Sequence, residues 1–236
     1  MKRMSLRYKP RGSKKEEKVE LIWDSCVACG YTGRNRKAVL DHIEELKKLG
    51  VPAPEKVPAT YWVDPERVST SPEIYVIGDK TSGEVEVFIA KDNKGETFIT
   101  VGSDHTDREL ERISVSKAKQ ICPKIIATEC WKLSEIREHW DKIILRMEVK
   151  ASEGEGPFIL YQEGKLITLL PPEELEKLAY SERPEYAHLP SIFGGTIPIL
   201  TKETIFASVY RLSMCDPILD RTITHTYKVI KLPDKI

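Results

Sequence analysis

The stretch that decides the reading is Ser82-Gly83-Glu84-Val85-Glu86-Val87-Phe88-Ile89-Ala90, followed by Lys91-Asp92-Asn93-Lys94-Gly95-Glu96 and then Thr97–Gly102. β-Branched and aromatic residues crowd the first run, as strands prefer, and the glycine-bearing polar loop after it suits a hairpin connection. Residues two apart on a strand share a face, so Glu84 and Glu86 point one way while Val85, Val87 and Ile89 point the other. A symmetric closing about Lys91–Glu96 sets Glu86 opposite Val101 and Glu84 opposite Ser103, with Asp104 one step beyond. Three carboxylates then gather at the open end of one hairpin. Like charges that close repel unless a proton or a cation lies between them. An all-oxygen set of three acids suits Mg²⁺ or Mn²⁺. The plainer alternative is the wet face of an amphipathic strand, and a one-residue slip of register would dissolve the cluster.

Outward from this hairpin, most other segments also read as strands: 19–23, 26–30, 73–78, 143–149, 158–162, 205–213 and 221–231. A helix is expected from about Asn35 to Leu49, with Gly50 as its stop and Val39, Leu40, Ile43 and Leu46 as its apolar stripe. The prolines of Val51–Pro58 exclude regular structure there. Shorter helices are expected near Leu133–Trp140 and from Pro171 onward. The fold class is therefore α+β and mainly β, in three parts: a basic flexible tail at 1–18, a small N-terminal subdomain at 19–72 and a metal-binding β domain at 73–236.

The 236 residues carry 37 Lys+Arg and 37 Asp+Glu. The balance hides an asymmetry, because residues 1–18 hold eight basic side chains against Glu16 and Glu17. A basic arm of this kind is either a solvated terminus or a contact for nucleic acid, and the absence of interleaved aromatics favours the former. No apolar run is long enough to cross a bilayer, and the basic first segment lacks the apolar h-region of a secretory signal, so a cytoplasmic protein with reduced cysteines is expected. Cys26 and Cys29 form a single Cys-x-x-Cys with no second ligand pair, which reads as two buried thiols in a strand rather than zinc ligands.

Six segments together resemble the fumarylacetoacetate hydrolase superfamily, in an uncharacterised branch. Gly83-Glu84-Val85-Glu86 resembles the strand that supplies two metal-binding glutamates, and Gly102-Ser103-Asp104-His105-Thr106-Asp107-Arg108 resembles the segment that supplies an aspartate. Asp41-His42-Ile43-Glu44-Glu45 resembles the family's water-activating His–Glu pair. Ser116–Pro123 resembles its substrate lysine segment, with Lys117 the better match and Lys119 the alternative. Tyr161-Gln162-Glu163-Gly164 and Phe193-Gly194-Gly195-Thr196 resemble its substrate-binding turns. The Glu86-to-Asp104 stretch is shorter than usual in the family, Ser103 replaces an asparagine, and extra residues separate Gly30 from His42.

What the resemblance implies is a fumarylacetoacetate-hydrolase-like mixed β-sandwich or roll with a few short helices, working as a homodimer. It implies metal ligands Glu84, Glu86 and Asp104, catalytic residues His42, Glu45 and Lys117, and substrate contacts Gln162, Gly195 and Thr196. The expected activity is Mg²⁺- or Mn²⁺-dependent hydrolysis of a C–C bond in a 2-oxo or 1,3-diketo acid. A decarboxylase or isomerase sharing the same enolate chemistry is the alternative. A non-enzymatic protein that holds nucleic acid with its basic tail is the reading from another class.

Overall fold

The structure is a computed structural model and describes every residue except Lys14, Ser152, Glu153, Glu155 and Ile236. Its centre is the expected hairpin, Val85–Asp92 paired with Thr97–Asp104. The register differs by one from a symmetric closing: Glu86 faces Gly102 and Val85 faces Ser103. The turn explains the shift. Asp92 and Glu96 close the loop by a backbone hydrogen bond, Gly95 N–H donates back to Asp92, and Gly95 takes a left-handed φ of 81°. Three residues, not four, thus span the loop, a turn that needs glycine at its last position. The ladder continues to Asp104 N–H donating to Glu84 C=O. Glu84 and Asp104 are therefore opposite one another, and residues directly opposite share a face. The corrected register places the three carboxylates on one side, as the expected register did not.

Around the hairpin the sheet branches. Toward the turn, Val85–Asp92 pairs with Glu17–Trp23, which pairs with Lys2–Tyr8, then Glu129–Lys132, then back to Thr97–Asp104, closing a ring of five strands. Toward the open end the same two strands pair instead with Pro190–Thr196 and Lys124–Ile126. Ser25–Gly30, Ala59–Val63 and Val68–Ser69 complete a ten-stranded sheet. A five-stranded sheet of Ile159–Lys165, Ile144–Lys150, Val209–Asp216, Arg221–Leu232 and Glu73–Ile77 lies beside it. Both faces of the hairpin are buried. Phe88, Ala90 and Phe98 pack inside the ring with Leu6, Leu21 and Trp23, while Val85, Val87 and Ile89 join the larger core with Met147, Leu212 and Tyr227.

Two expectations about organisation are corrected. Residues 1–18 are not a free tail, because Lys2–Tyr8 is an interior strand; Lys14 of this segment lies outside the described residues. Met4, Leu6 and Tyr8 turn inward while Arg3 and Arg7 pair with Glu20 and Glu129. Position 72 divides no folding unit either, since strands from before and after it interleave in one sheet.

The helix Arg36–Lys48 forms as expected. Asn35 caps its N-terminus through Ala38 N–H, and Gly50 at φ 89° ends it while Gly50 and Val51 N–H donate to Lys47 and Leu46, a complete Schellman stop. Cys26 and Cys29 are buried free thiols in the strand Ser25–Gly30, with burial raising both, Cys26 to about 12. Among the described residues no helix is long and apolar enough to cross a membrane.

Candidate metal centre

Glu84, Glu86 and Asp104 each offer a carboxylate oxygen, and these atoms lie within 4.8 Å of one another. The strand pairing sets this spacing: Glu84 and Glu86 are two apart on one strand and Asp104 is across from Glu84. Glu86 is 2% exposed and Asp104 fully buried. Buried carboxylates need compensation, and three cations supply part of it. Lys119 Nζ lies 2.5 Å from Asp104 Oδ2 and 3.4 Å from Glu84 Oε2. Lys124 Nζ lies 3.0 Å from Asp104 Oδ1, and Arg108 lies 3.2 Å from Glu84 Oε1 while also pairing with Glu111.

The charges follow from these partners. Burial alone would raise Asp104, but the two lysine ammoniums hold it at about 2. Burial would also raise Glu84, but Arg108 and Lys119 hold it below its usual value. Glu86 differs. Burial, and then the negative charge of Asp104, push it well above the ordinary carboxylate range. Among the described residues it forms no ion pair, and its hydrogen bond comes from Gly195 N–H at 2.8 Å.

Whether these residues fit a metal is decided by the donor set. Lys124 gives two of its three N–H donors to the His105 and Cys122 carbonyls and keeps its ammonium 3.0 Å from Asp104 Oδ1. Glu86 is a buried acid without a cation. The three carboxylates offer hard oxygen donors within 4.8 Å of one another, and the set fits Mg²⁺, Mn²⁺ or Ca²⁺.

Of the two lysines, Lys119 is the one that pairs with the carboxylates. Both ride the helix Val115–Ile121, but two residues on a helix point roughly 200° apart. Lys119 turns into the cluster at 6% exposure, while Lys117 faces solvent. The residues expected as substrate contacts make hydrogen bonds within the protein. Gln162 is 1% exposed; its Oε1 accepts from Val85 N–H and its Nε2 donates to Thr196 Oγ1 and the Ile197 carbonyl. Thr196 Oγ1 in turn donates to the Val85 carbonyl. With Gly195 on Glu86, all three residues brace the glutamate strand. Gly195 holds φ 90°, and a Cβ there would meet Thr32 Oγ1 at 2.1 Å, so only glycine fits.

His42 and Glu45 do meet, at 3.7 Å, but on the outer face of their helix, with side chains 60% and 72% exposed. The structure does not bring them to the carboxylates. Only Ile43 of that helix is buried. Sequence reasoning assigned no role to Lys124, Arg108 or Glu111 at this site. Arg108 and Glu111 lie four and seven residues beyond Asp104, and their signal was helical spacing: three apart on one short helix, they pair at 3.0 Å.

Similar proteins share this architecture. A 2-keto-3-deoxy-D-arabinonate dehydratase complexed with magnesium and 2,5-dioxopentanoate superposes at TM-score 0.62 and 13% identity, over 95% of this chain and 79% of that one. A 4-oxalocrotonate decarboxylase from Pseudomonas putida G7, complexed with magnesium and adipate, gives 0.52 and 13%, over 87% and 77%. A maleylpyruvate hydrolase from Sphingobium sp. SYK-6 gives 0.51 and 11%, over 92% and 76%. These are fumarylacetoacetate hydrolase superfamily members, and their fold is the fold of this chain. No curated protein matches the sequence. Residues 29–227 match the family described as protein of unknown function (DUF2848), and the chain belongs to that family.

Proposed function

We propose that the protein is a divalent-metal-dependent enzyme acting on a 2-oxo or 1,3-diketo acid. The observation that carries this reading is the clustered trio Glu84, Glu86 and Asp104, in which Glu86 forms no ion pair among the described residues, in a fold shared with magnesium-bound enzymes of such acids. The chemistry a divalent ion supplies when bound at such a site is polarisation of a substrate carbonyl and neutralisation of the charge that develops on its oxygen. The chain's own residues do the rest. Glu84, Glu86 and Asp104 hold the ion, and Gln162, Gly195 and Thr196 keep the glutamate strand fixed so that nothing reorganises during reaction. Lys119 and Arg108 present cationic donors beside the cluster, where an anionic substrate and its developing negative charge need them.

Hydrolysis of a C–C bond requires a base to take a proton from water, and His42 oriented by Glu45 is the pair suited to it. The solvent exposure of that pair favours the second reading, a decarboxylase, dehydratase or isomerase that activates no water there. Turnover of 2,4-dioxopentanoate and of oxaloacetate separates them. Consumption of either that stops with EDTA and returns with Mg²⁺ supports the proposal. Acetate released from the first identifies the hydrolase, and carbon dioxide from the second the decarboxylase. Metal-loaded protein inert toward both contradicts it.

A further inference from the structure

Tyr31 is a non-glycine residue held at φ 58°, in the left-handed region. For a bulky side chain this conformation is strained and persists only where neighbours enforce it. The enforcement is visible on both sides. Before Tyr31, Gly30 lies against the Tyr61 ring, where a Cβ would come within 2.9 Å of Tyr61 Cε2, and the Lys119 ammonium lies 5.8 Å from the centroid of that ring. After Tyr31, Thr32 donates to the Gly194 carbonyl at 2.8 Å, next to the Gly195 N–H that holds Glu86. The segment Gly30-Tyr31-Thr32 thus touches the carboxylate centre through two separate partners, one reaching Lys119 and the other Glu86.

The Tyr31 ring is half-buried, and its phenol is raised by burial, with the charges of Glu111, Lys119 and Glu84 acting on it in turn. Two of these, Glu84 and Glu111, flank the partly open side of the centre, where Glu84, Arg108 and Glu111 keep 21%, 19% and 16% side-chain exposure. Buried tyrosines elsewhere in the protein spend their hydroxyls on internal partners: Tyr227 on Ser103 and His105, Tyr210 on the Ile205 carbonyl, Tyr8 on Glu135. Tyr31 has no such hydrogen bond among the described residues.

We propose that Tyr31 is a specificity-determining residue: its strained backbone sets the phenol at the open side of the carboxylate centre, where the hydroxyl donates to an oxygen of the substrate beyond its 2-oxo carboxylate end. The inference rests on the proposed 2-oxo acid reading and narrows it to acids with a second oxygen function along the chain. Unsubstituted alkyl acids lack the acceptor. Tyr61, under Lys119, supplies the apolar wall against which the carbon chain lies.

The test uses two probes that differ in one oxygen, 2,4-dioxopentanoate and 2-oxopentanoate, with binding to Mg²⁺-loaded protein measured calorimetrically. Wild type is expected to prefer the dioxo acid. Tyr31→Phe is expected to weaken it about tenfold, the worth of one hydrogen bond, while changing 2-oxopentanoate binding and Mg²⁺ affinity less than twofold. Equal binding of both probes by wild type, or a Tyr31→Phe protein that keeps its preference, overturns the role of Tyr31. Wild type that binds Mg²⁺ and neither probe overturns the 2-oxo acid reading, and this inference falls with it. Tyr31→Gly, which relieves the left-handed φ, is expected to lose the same preference, and a retained preference there is equally contrary.

Discussion

The helix Arg36–Lys48 and the hairpin Val85–Asp104 carry equally short motifs, His-x-x-Glu and Glu-x-Glu, yet the fold treats them oppositely. On the helix, His42 and Glu45 meet as i, i+3 spacing requires and stay on the solvent face. At the hairpin, Glu86 is buried and Glu84, opposite the buried Asp104, is only partly exposed, and the two are held by Gly195, Lys119 and Arg108. Spacing decides which side chains can touch; burial decides whether the contact has chemical force. A pair in water is screened and contributes little, whereas buried like charges create a strong demand for a cation.

The comparison can be broken most severely at the hairpin. Asp104→Asn and Glu86→Gln are each expected to weaken Mg²⁺ and Mn²⁺ binding by on the order of 100-fold or more, read by calorimetry, since each removes a ligand charge from a closed set. Next comes the lysine pair. Lys119→Met is expected to lower kcat/KM about 100-fold, as loss of a buried cationic donor does, while Lys117→Met changes it less than twofold. A smaller effect is expected from acid. Burial would raise Asp24, but hydrogen bonds from Leu189, Ser25 and His188 hold it below its usual value, tying Ser25–Gly30 to the start of Pro190–Thr196. A depressed carboxylate stabilises the fold above its unfolded pKa of about 4 and loses that contribution as pH falls below it. Asp24→Asn should therefore lower Tm at pH 7 and converge with wild type toward pH 2–3. The smallest effect is expected on the helix: His42→Ala should change turnover of oxaloacetate less than threefold. A loss of 100-fold would show that the helix reaches the centre during catalysis and would restore the hydrolytic role of the pair.

Much of this was legible in the residues. The glutamate strand, its hairpin partner, the capped helix and the buried cysteines all follow from alternation, capping residues and apolar runs. What failed did so for local physical reasons. The hairpin register turned on whether Gly95 would take a left-handed φ and shorten the loop to three residues. Lys117 and Lys119 could not be told apart without the face on which their helix packs, and that face is set by Tyr61 on a strand more than fifty residues away. The first strand was masked by its charge, although Met4, Leu6 and Tyr8 alternate with Arg3, Ser5 and Arg7 as a half-buried strand does. Gln162 and Thr196 came as substrate contacts from the resemblance alone, and no local pattern announced the hydrogen bonds they make to each other and to Val85.

The central claim is that Glu84, Glu86 and Asp104 jointly hold a divalent cation. Crystals of the Mn²⁺-loaded protein, measured at the manganese absorption edge, test it directly. The account predicts one anomalous peak within about 2.0–2.3 Å of an oxygen from each of the three carboxylates. A peak elsewhere, or none at saturating Mn²⁺ with Lys119 still seated on Asp104, would contradict it.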